Sequence, residues 1–131
     1  MDVSIIIPWK GEEDYLNVTL ESLYNTKNTM DFEVVIVSNF NIEESHKILD
    51  LNKERNVHIR MVSASNLSIG QARNLGAACA RGDYLFFGDD HLVFTDYSLD
   101  NLVINLQLSG GNCITPAIED TYTGMVGYGG S

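Results

Sequence analysis

Two carboxylates and an imidazole stand side by side at Asp89-Asp90-His91, one glycine past the apolar run Leu85-Phe86-Phe87. Carboxylate oxygens suit a hard divalent cation such as Mg²⁺ or Mn²⁺, and Mn²⁺ also accepts an imidazole nitrogen. Residues i and i+2 of a tight turn converge on one ion, which makes Asp89 and His91 the candidate ligands. Such an ion would bridge a diphosphate and act as Lewis acid for its departure. Alone, the triplet more often marks a polar turn in water; its place after a buried strand favours the ion. A second segment with chemical potential is Asn66-Leu67-Ser68-Ile69-Gly70-Gln71-Ala72-Arg73-Asn74-Leu75-Gly76. Arg73 is a rare cation in an acidic chain and suits a base or phosphate, or else a surface ion pair of small value. Gly70 and Gly76 permit close approach of a ligand or of backbone, and for Gly76 helix–sheet packing is at least as good a reading.

These segments need a scaffold, and the pattern supplies one. Val3 to Pro8 is a continuous apolar run, as expected of a strand buried on both faces. Leu16, Leu20, Leu23 and Tyr24 recur at helical spacing between Glu12 and about Asn25, with acidic residues in the first turn. Phe32 to Val37 predicts a second strand, Glu43 to about Arg55 a charged helix, and Val57 to Val62 a third strand nearer a sheet edge. Ser68 is placed to cap a helix running to Ala80, with Gly82 just past its end. Tyr84 to Phe87 is a fourth strand, and Asp96 to Leu108 a helix stopped by Gly110-Gly111. Asn112 to Thr115 suits a fifth strand; residues 119–131 lack periodicity and read as a loop or tail. This β-α alternation predicts an α/β, Rossmann-like, mostly parallel sheet between helices. Its ligands bind beyond the carboxyl ends of the strands, where strand order reverses. The segments to watch are therefore Trp9 to Glu12, Ser38 to Asn41, Ser63 to Arg73 and Gly88 to His91.

The chain has 131 residues, one domain's worth, with 44% hydrophobic and 20% charged residues. Its formal net charge of −10 disfavours nucleic acid as a partner. The same charge would repel an anionic nucleotide unless a cation or a few local donors intervene. No apolar run is long enough to span a bilayer, and the N-terminus lacks a basic leader. Cys79 and Cys113 show no CxxC or Cys/His spacing, which fits a reducing, cytoplasmic setting.

In order and spacing, residues 3 to 108 resemble glycosyltransferase family 2. The resemblance is carried by Val3-Ser4-Ile5-Ile6-Ile7-Pro8, Glu12-Glu13-Asp14-Tyr15-Leu16 through Leu20-Glu21-Ser22-Leu23, and Asp31-Phe32-Glu33-Val34-Val35-Ile36-Val37. Ala72-Arg73-Asn74-Leu75-Gly76 with Ala80-Arg81-Gly82-Asp83-Tyr84-Leu85-Phe86-Phe87 matches best, and Asp89-Asp90-His91 falls where the family has its DxD. The resemblance implies a GT-A fold, a three-layer sandwich, here truncated relative to the full family fold. Residues 1–131 would form one nucleotide-sugar-binding domain that takes a nucleotide-diphosphate sugar and Mn²⁺ or Mg²⁺. Pro8, Trp9, Lys10, Glu12, Asn39, Arg73, Asp89 and Asp90 would bind the nucleotide sugar, and Asp89 and His91 the metal. The chain departs from the family pattern at Trp9-Lys10-Gly11, where Thr-Tyr-Asn is usual, and at Ser38-Asn39-Phe40-Asn41, where Asp-Asp-Gly-Ser is usual. The Asn39 amide oxygen can still accept a hydrogen bond from a base, without a charge. His91 stands at the third DxD position, and a DxH arrangement keeps metal binding. The family's acceptor half has no counterpart in these residues. The acceptor (a glycan, lipid or protein hydroxyl) would be held by a further C-terminal region or by a second copy of the chain. Glu119 and Asp120 match no family position, so no catalytic base is assigned. The expectation is a metal-dependent glycosyltransferase or its donor-binding part. The alternative is a non-catalytic nucleotide- or partner-binding module on the same fold.

Overall fold

The computed structural model describes residues 2–9, 13–38, 58–88 and 94–110. The elements run β1 (Val3–Trp9), α1 (Glu13–Asn25), β2 (Phe32–Ser38), β3 (His58–Ser63), α2 (Ile69–Cys79), β4 (Tyr84–Phe87) and α3 (Ser98–Ser109). The helix expected over 43–55, the fifth strand at 112–115 and the tail at 119–131 lie outside the described residues, as does Cys113. The four strands form one parallel sheet in the order β3-β2-β1-β4. The chain thus steps outward from β1 to β3 on one side, then returns to the other side of β1 for β4. That reversal is the switch point at which α/β folds bind ligands.

The two central strands are apolar on both faces because both faces are covered. Ile5, Ile6, Ile7, Val34, Val35 and Ile36 have no exposed surface. On one face, Val3, Ile5, Ile7, Trp9, Val34, Ile36 and Phe86 form a single core with Leu16, Leu20 and Leu23 of α1 and Leu99 and Val103 of α3. On the other face lies α2, docked through Gly76. A Cβ there would stand 2.4 Å from Ile6 Cγ2 and 3.1 Å from Val37 Cγ2. Gly76 is therefore a helix–sheet contact, the second of the two readings its sequence position allowed. The result is a three-layer α/β/α arrangement, as the pattern predicts. β3 takes the edge position expected of it, with partly exposed residues throughout.

Helix ends show why the chain starts and stops where it does. The Ser68 hydroxyl accepts from Gln71 N–H at 3.1 Å while the Gln71 side chain accepts from Ser68 N–H at 2.9 Å, a reciprocal capping box at the start of α2. The other end differs from expectation. α2 finishes at Cys79, with Ala80 as an extended cap, and Gly82 is not a left-handed stop. Gly82 is needed instead for contact, since a Cβ would lie 2.6 Å from Ser4 N. Helix α3 begins at Ser98 rather than Asp96, because Tyr97 adopts a left-handed conformation with φ 60°. Asp96 is occupied elsewhere, accepting from Lys27 N–H at 2.9 Å. Gly110, at φ 67°, ends α3 as its sequence position predicts.

A buried polar cluster sits at the amino ends of the strands. Glu33, 2% exposed, accepts from Ser4 Oγ at 2.5 Å and from Arg81 N–H at 2.7 Å on one oxygen. Its other oxygen accepts from Arg60 Nε at 2.9 Å. Arg60 also donates to Cys79 O, and Gly82 N–H donates to Ser4 Oγ at 2.8 Å. The cluster fastens the α2–β4 connection to three strands. Burial opposes the Glu33 charge, but the Ser4, Arg81 and Arg60 donors outweigh it and hold the carboxyl below its ordinary value. A depressed folded-state pKa contributes stability that is present above the unfolded pKa and lost as pH falls through the folded one. The denaturation midpoint is therefore expected to fall between neutral pH and acid less steeply in Glu33→Gln than in the parent. Parallel urea titrations across that range measure it, and identical acid slopes would remove Glu33 from the account.

Candidate functional site

The carboxyl edge of the sheet carries a hollow on the α2 face. It is an open depression lined by Pro8, Trp9, Val37, Ala64, Leu67, Ser68, Ile69 and Ala72. Three of the four strands lead into it. Pro8 and Trp9 end β1, Val37 nearly ends β2, and Ala64 follows β3 directly. The wall opposite is the first turn of α2 and the loop leading into it. Pro8 is tolerated in a central strand because it lies beyond Ile6↔Phe87, the last β1–β4 pair, though still paired with Val37. Trp9, 1% exposed, belongs to the core on the α1 side and lends the hollow little surface. The hollow is thus mainly apolar.

The residues singled out from sequence divide into three sets. Pro8 and Trp9 line the hollow. Arg73 follows the lining residue Ala72 on α2 and is half-buried, but is not itself part of the wall. Lys10, Glu12, Asn39, Asp89, Asp90 and His91 lie outside the described residues, and no cluster of metal-binding side chains occurs among the described ones. What is described are the residues leading to them. Ser38, which precedes Asn39, is fully buried at the end of β2. Gly88, which precedes Asp89, is buried, and its N–H donates to Ile6 O at 3.0 Å. Beyond the segment 89–93, Phe94 is buried again and its N–H donates to Ser22 Oγ at 3.0 Å. The end of β4 is therefore fixed against β1 at the switch point. Residues that sequence reasoning did not single out as walls are Val37, Ala64, Leu67, Ser68, Ile69 and Ala72, although Ser68 was read as a helix cap. All but Val37 fall in the stretch from Ser63 to Arg73 that the topology marked for attention.

The family model described as glycosyl transferase family 2 matches residues 4–128. The chain belongs to that family. Among its relatives, the uncharacterized glycosyltransferase EpsJ of Bacillus subtilis is 32% identical over 92 residues, covering 69% of this chain and 26% of EpsJ. The putative glycosyltransferase EpsH of the same organism is 31% identical over 97 residues, covering 72% of this chain and 28% of EpsH. The chain thus spans about a quarter of the length of these curated relatives. Among solved structures, residues 1–349 of S. aureus TarS superpose with a TM-score of 0.73 at 21% identity, covering 88% of this chain and 35% of that one. TarS has also been solved with UDP, matching at TM-score 0.73 and 20% identity over the same shares of the two chains. At that identity the likeness establishes the fold. This family-2 domain has no helix, among the described residues, long and apolar enough to cross a membrane.

Proposed function

We propose that this family-2 domain binds a nucleotide-diphosphate sugar, with the base in the hollow and the diphosphate directed toward the end of β4. The observation that carries the reading is the hollow's position, at the carboxyl edge beside the switch point and walled by Pro8 at the end of β1. The complex of TarS with UDP-GlcNAc makes uridine nucleotides the first ligands to try. In the full protein the acceptor hydroxyl attacks the anomeric carbon as the nucleoside diphosphate leaves. The apolar walls hold the base ring and exclude water from its faces. Asn39 accepts a hydrogen bond from the base edge, and Arg73, Lys10 and Glu12 serve the margins of the nucleotide. Two carboxylates and an imidazole form a donor set that fits Mn²⁺ or Mg²⁺, so Asp89 and His91 are the residues that would hold the ion, and Asp89 or Asp90 would contact the ribose. When bound, that ion supplies charge neutralisation of the leaving diphosphate.

The chain's charge favours a bound ion at the diphosphate. With a formal net charge of −10, the bare carboxylates repel a diphosphate. Calorimetry with UDP and GDP is expected to show binding in Mn²⁺ that weakens about tenfold or more in EDTA. Equal affinity in the two buffers would remove the metal from the proposal.

The histidines give a sharper discrimination. His91→Ala is expected to weaken Mn²⁺-dependent nucleotide binding, whereas His46→Ala and His58→Ala leave it unchanged. His58 is exposed at the start of β3, paired in register with Glu33 at the opposite end of the sheet from the hollow. The same calorimetric titration on all three variants is the check; a uniform response would show that His91 is not a ligand.

A further inference from the structure

The connection from β3 to α2, residues 64–68, forms one wall of the hollow, and both of its ends are fixed. Ala64 N–H donates to Ser38 O at 3.0 Å, carrying the β2–β3 pairing one residue past the strand. Ser68 is locked by the capping box with Gln71. Between those anchors the chain must turn from strand to helix in three residues, and it does so through a left-handed Asn66, at φ 62°. Only two non-glycine residues among those described have positive φ, Asn66 and Tyr97. Asn66 is exposed, whereas Leu67, its neighbour, is half-buried and lines the hollow together with Ser68 and Ile69. Asparagine tolerates the left-handed region better than most side chains, and β-branched residues tolerate it least.

We infer that Asn66 is a positioning residue for the nucleotide site. Its left-handed backbone aims Leu67 into the hollow and sets the distance between that wall and Pro8. The inference rests on the nucleotide-binding reading of the hollow. Asn66 itself touches no ligand; it acts through Leu67. A residue that disfavours positive φ shifts the loop toward other conformations. Apparent affinity then falls by the fraction of molecules that keep the competent one.

The test titrates the 131-residue chain with UDP and, separately, GDP in Mn²⁺, well below its unfolding temperature. Asn66→Gly and Asn66→Asp are expected to keep the parent affinity within about twofold, since both residues accept positive φ. Asn66→Val is expected to bind about tenfold more weakly while remaining folded by circular dichroism. Leu67→Ala should weaken binding with Asn66 intact. Should the valine variant not fold, Asn66→Ala replaces it with the same expectation of weakened binding. A folded valine or alanine variant that binds as tightly as the parent overturns the inference, even if its melting temperature has dropped, because a merely structural role predicts that split. A parent chain with no affinity for either nucleotide overturns the proposed function and this inference with it. A parent that binds beside variants that bind equally well overturns this inference alone.

Discussion

Gly82→Ala is expected to lower the unfolding free energy by about 3–5 kcal/mol, among the largest effects of any single methyl group in this chain. The added Cβ would stand 2.6 Å from Ser4 N, 2.7 Å from Ser4 Oγ and 2.7 Å from Val3 C. Two of those atoms are backbone of β1, a strand paired on both sides, so they have nowhere to go. The turn at residues 81–82 must lift instead. Lifting it breaks the Gly82 N–H bond to Ser4 Oγ and the Arg81 N–H bond to Glu33. Glu33 is then left in the interior with fewer donors, which costs more than the steric strain alone. Gly76→Ala meets side-chain methyls rather than backbone, Ile6 Cγ2 at 2.4 Å and Val37 Cγ2 at 3.1 Å, and is expected to cost less, about 1–3 kcal/mol. Gly70→Ala meets nothing nearer than Ser68 Oγ at 4.0 Å and should be neutral or stabilise by about 0.5–1 kcal/mol, because alanine restrains the unfolded helix segment. Urea titrations of the three variants order them directly. A Gly82→Ala protein as stable as Gly70→Ala would mean that the Ser4 contact is not tight.

The contrast between these glycines shows what could be read from sequence and what could not. The strands and helices follow from local pattern: a run from Val3 to Pro8 that is apolar but for Ser4 predicts β1, and leucines at helical spacing predict α1. The capping serine of α2 was equally visible, since a helix start depends on residues within one turn of each other. The parallel sheet with helices on both faces followed from the β-α alternation and handedness, whereas the order β3-β2-β1-β4 depends on which strands pair side by side and is not written in any one segment. The Glu33 cluster was not visible. Its donors lie 27, 29 and 48 residues away, and a single glutamate within Phe32-Glu33-Val34-Val35 carries no mark of burial. The apolar wall of the hollow was hidden for a related reason. Val37 reads as part of an apolar strand, and although Leu67 and Ile69 fall in a stretch the topology marks, only the docking of α2 at Gly76 decides which apolar groups face each other and which face a gap. Gly82 looked like a helix stop because glycine commonly ends helices; its partner, Ser4, is 78 residues distant. The candidate ligands Asp89, Asp90 and His91 rest on side-chain chemistry in three adjacent residues alone, since they lie outside the described residues.

The residues on either side of that acidic segment lead to the second large effect. Phe94→Ala is expected to cost about 3–5 kcal/mol of stability. Phe94 is 3% exposed and meets Phe86 of β4 edge to face, with ring centroids 5.6 Å apart at 62°. Such a pair contributes about 0.5–1.5 kcal/mol beyond the area it buries. Truncating the ring also opens a cavity between Phe86, Leu99 and Val103, members of the same core. The backbone of Phe94 is held separately, by its N–H to Ser22 Oγ at 3.0 Å, while that hydroxyl donates to Thr19 O at 2.7 Å. Together with Gly88 N–H on Ile6 O, this pins both sides of residues 89–93, one to the sheet and one to α1. Ser22→Ala keeps the ring but leaves a part-buried N–H unmet, at a smaller cost of about 1–2 kcal/mol. The two variants therefore separate ring packing from backbone anchoring. Denaturant midpoints give the stability of each, and Mn²⁺-dependent nucleotide affinity, measured where both remain folded, gives the functional share. If anchoring matters to the site, Ser22→Ala loses affinity out of proportion to its small loss of stability. If Phe94→Ala unfolds no more readily than the parent, the Phe86–Phe94 pair does not hold the chain ahead of α3 to β4.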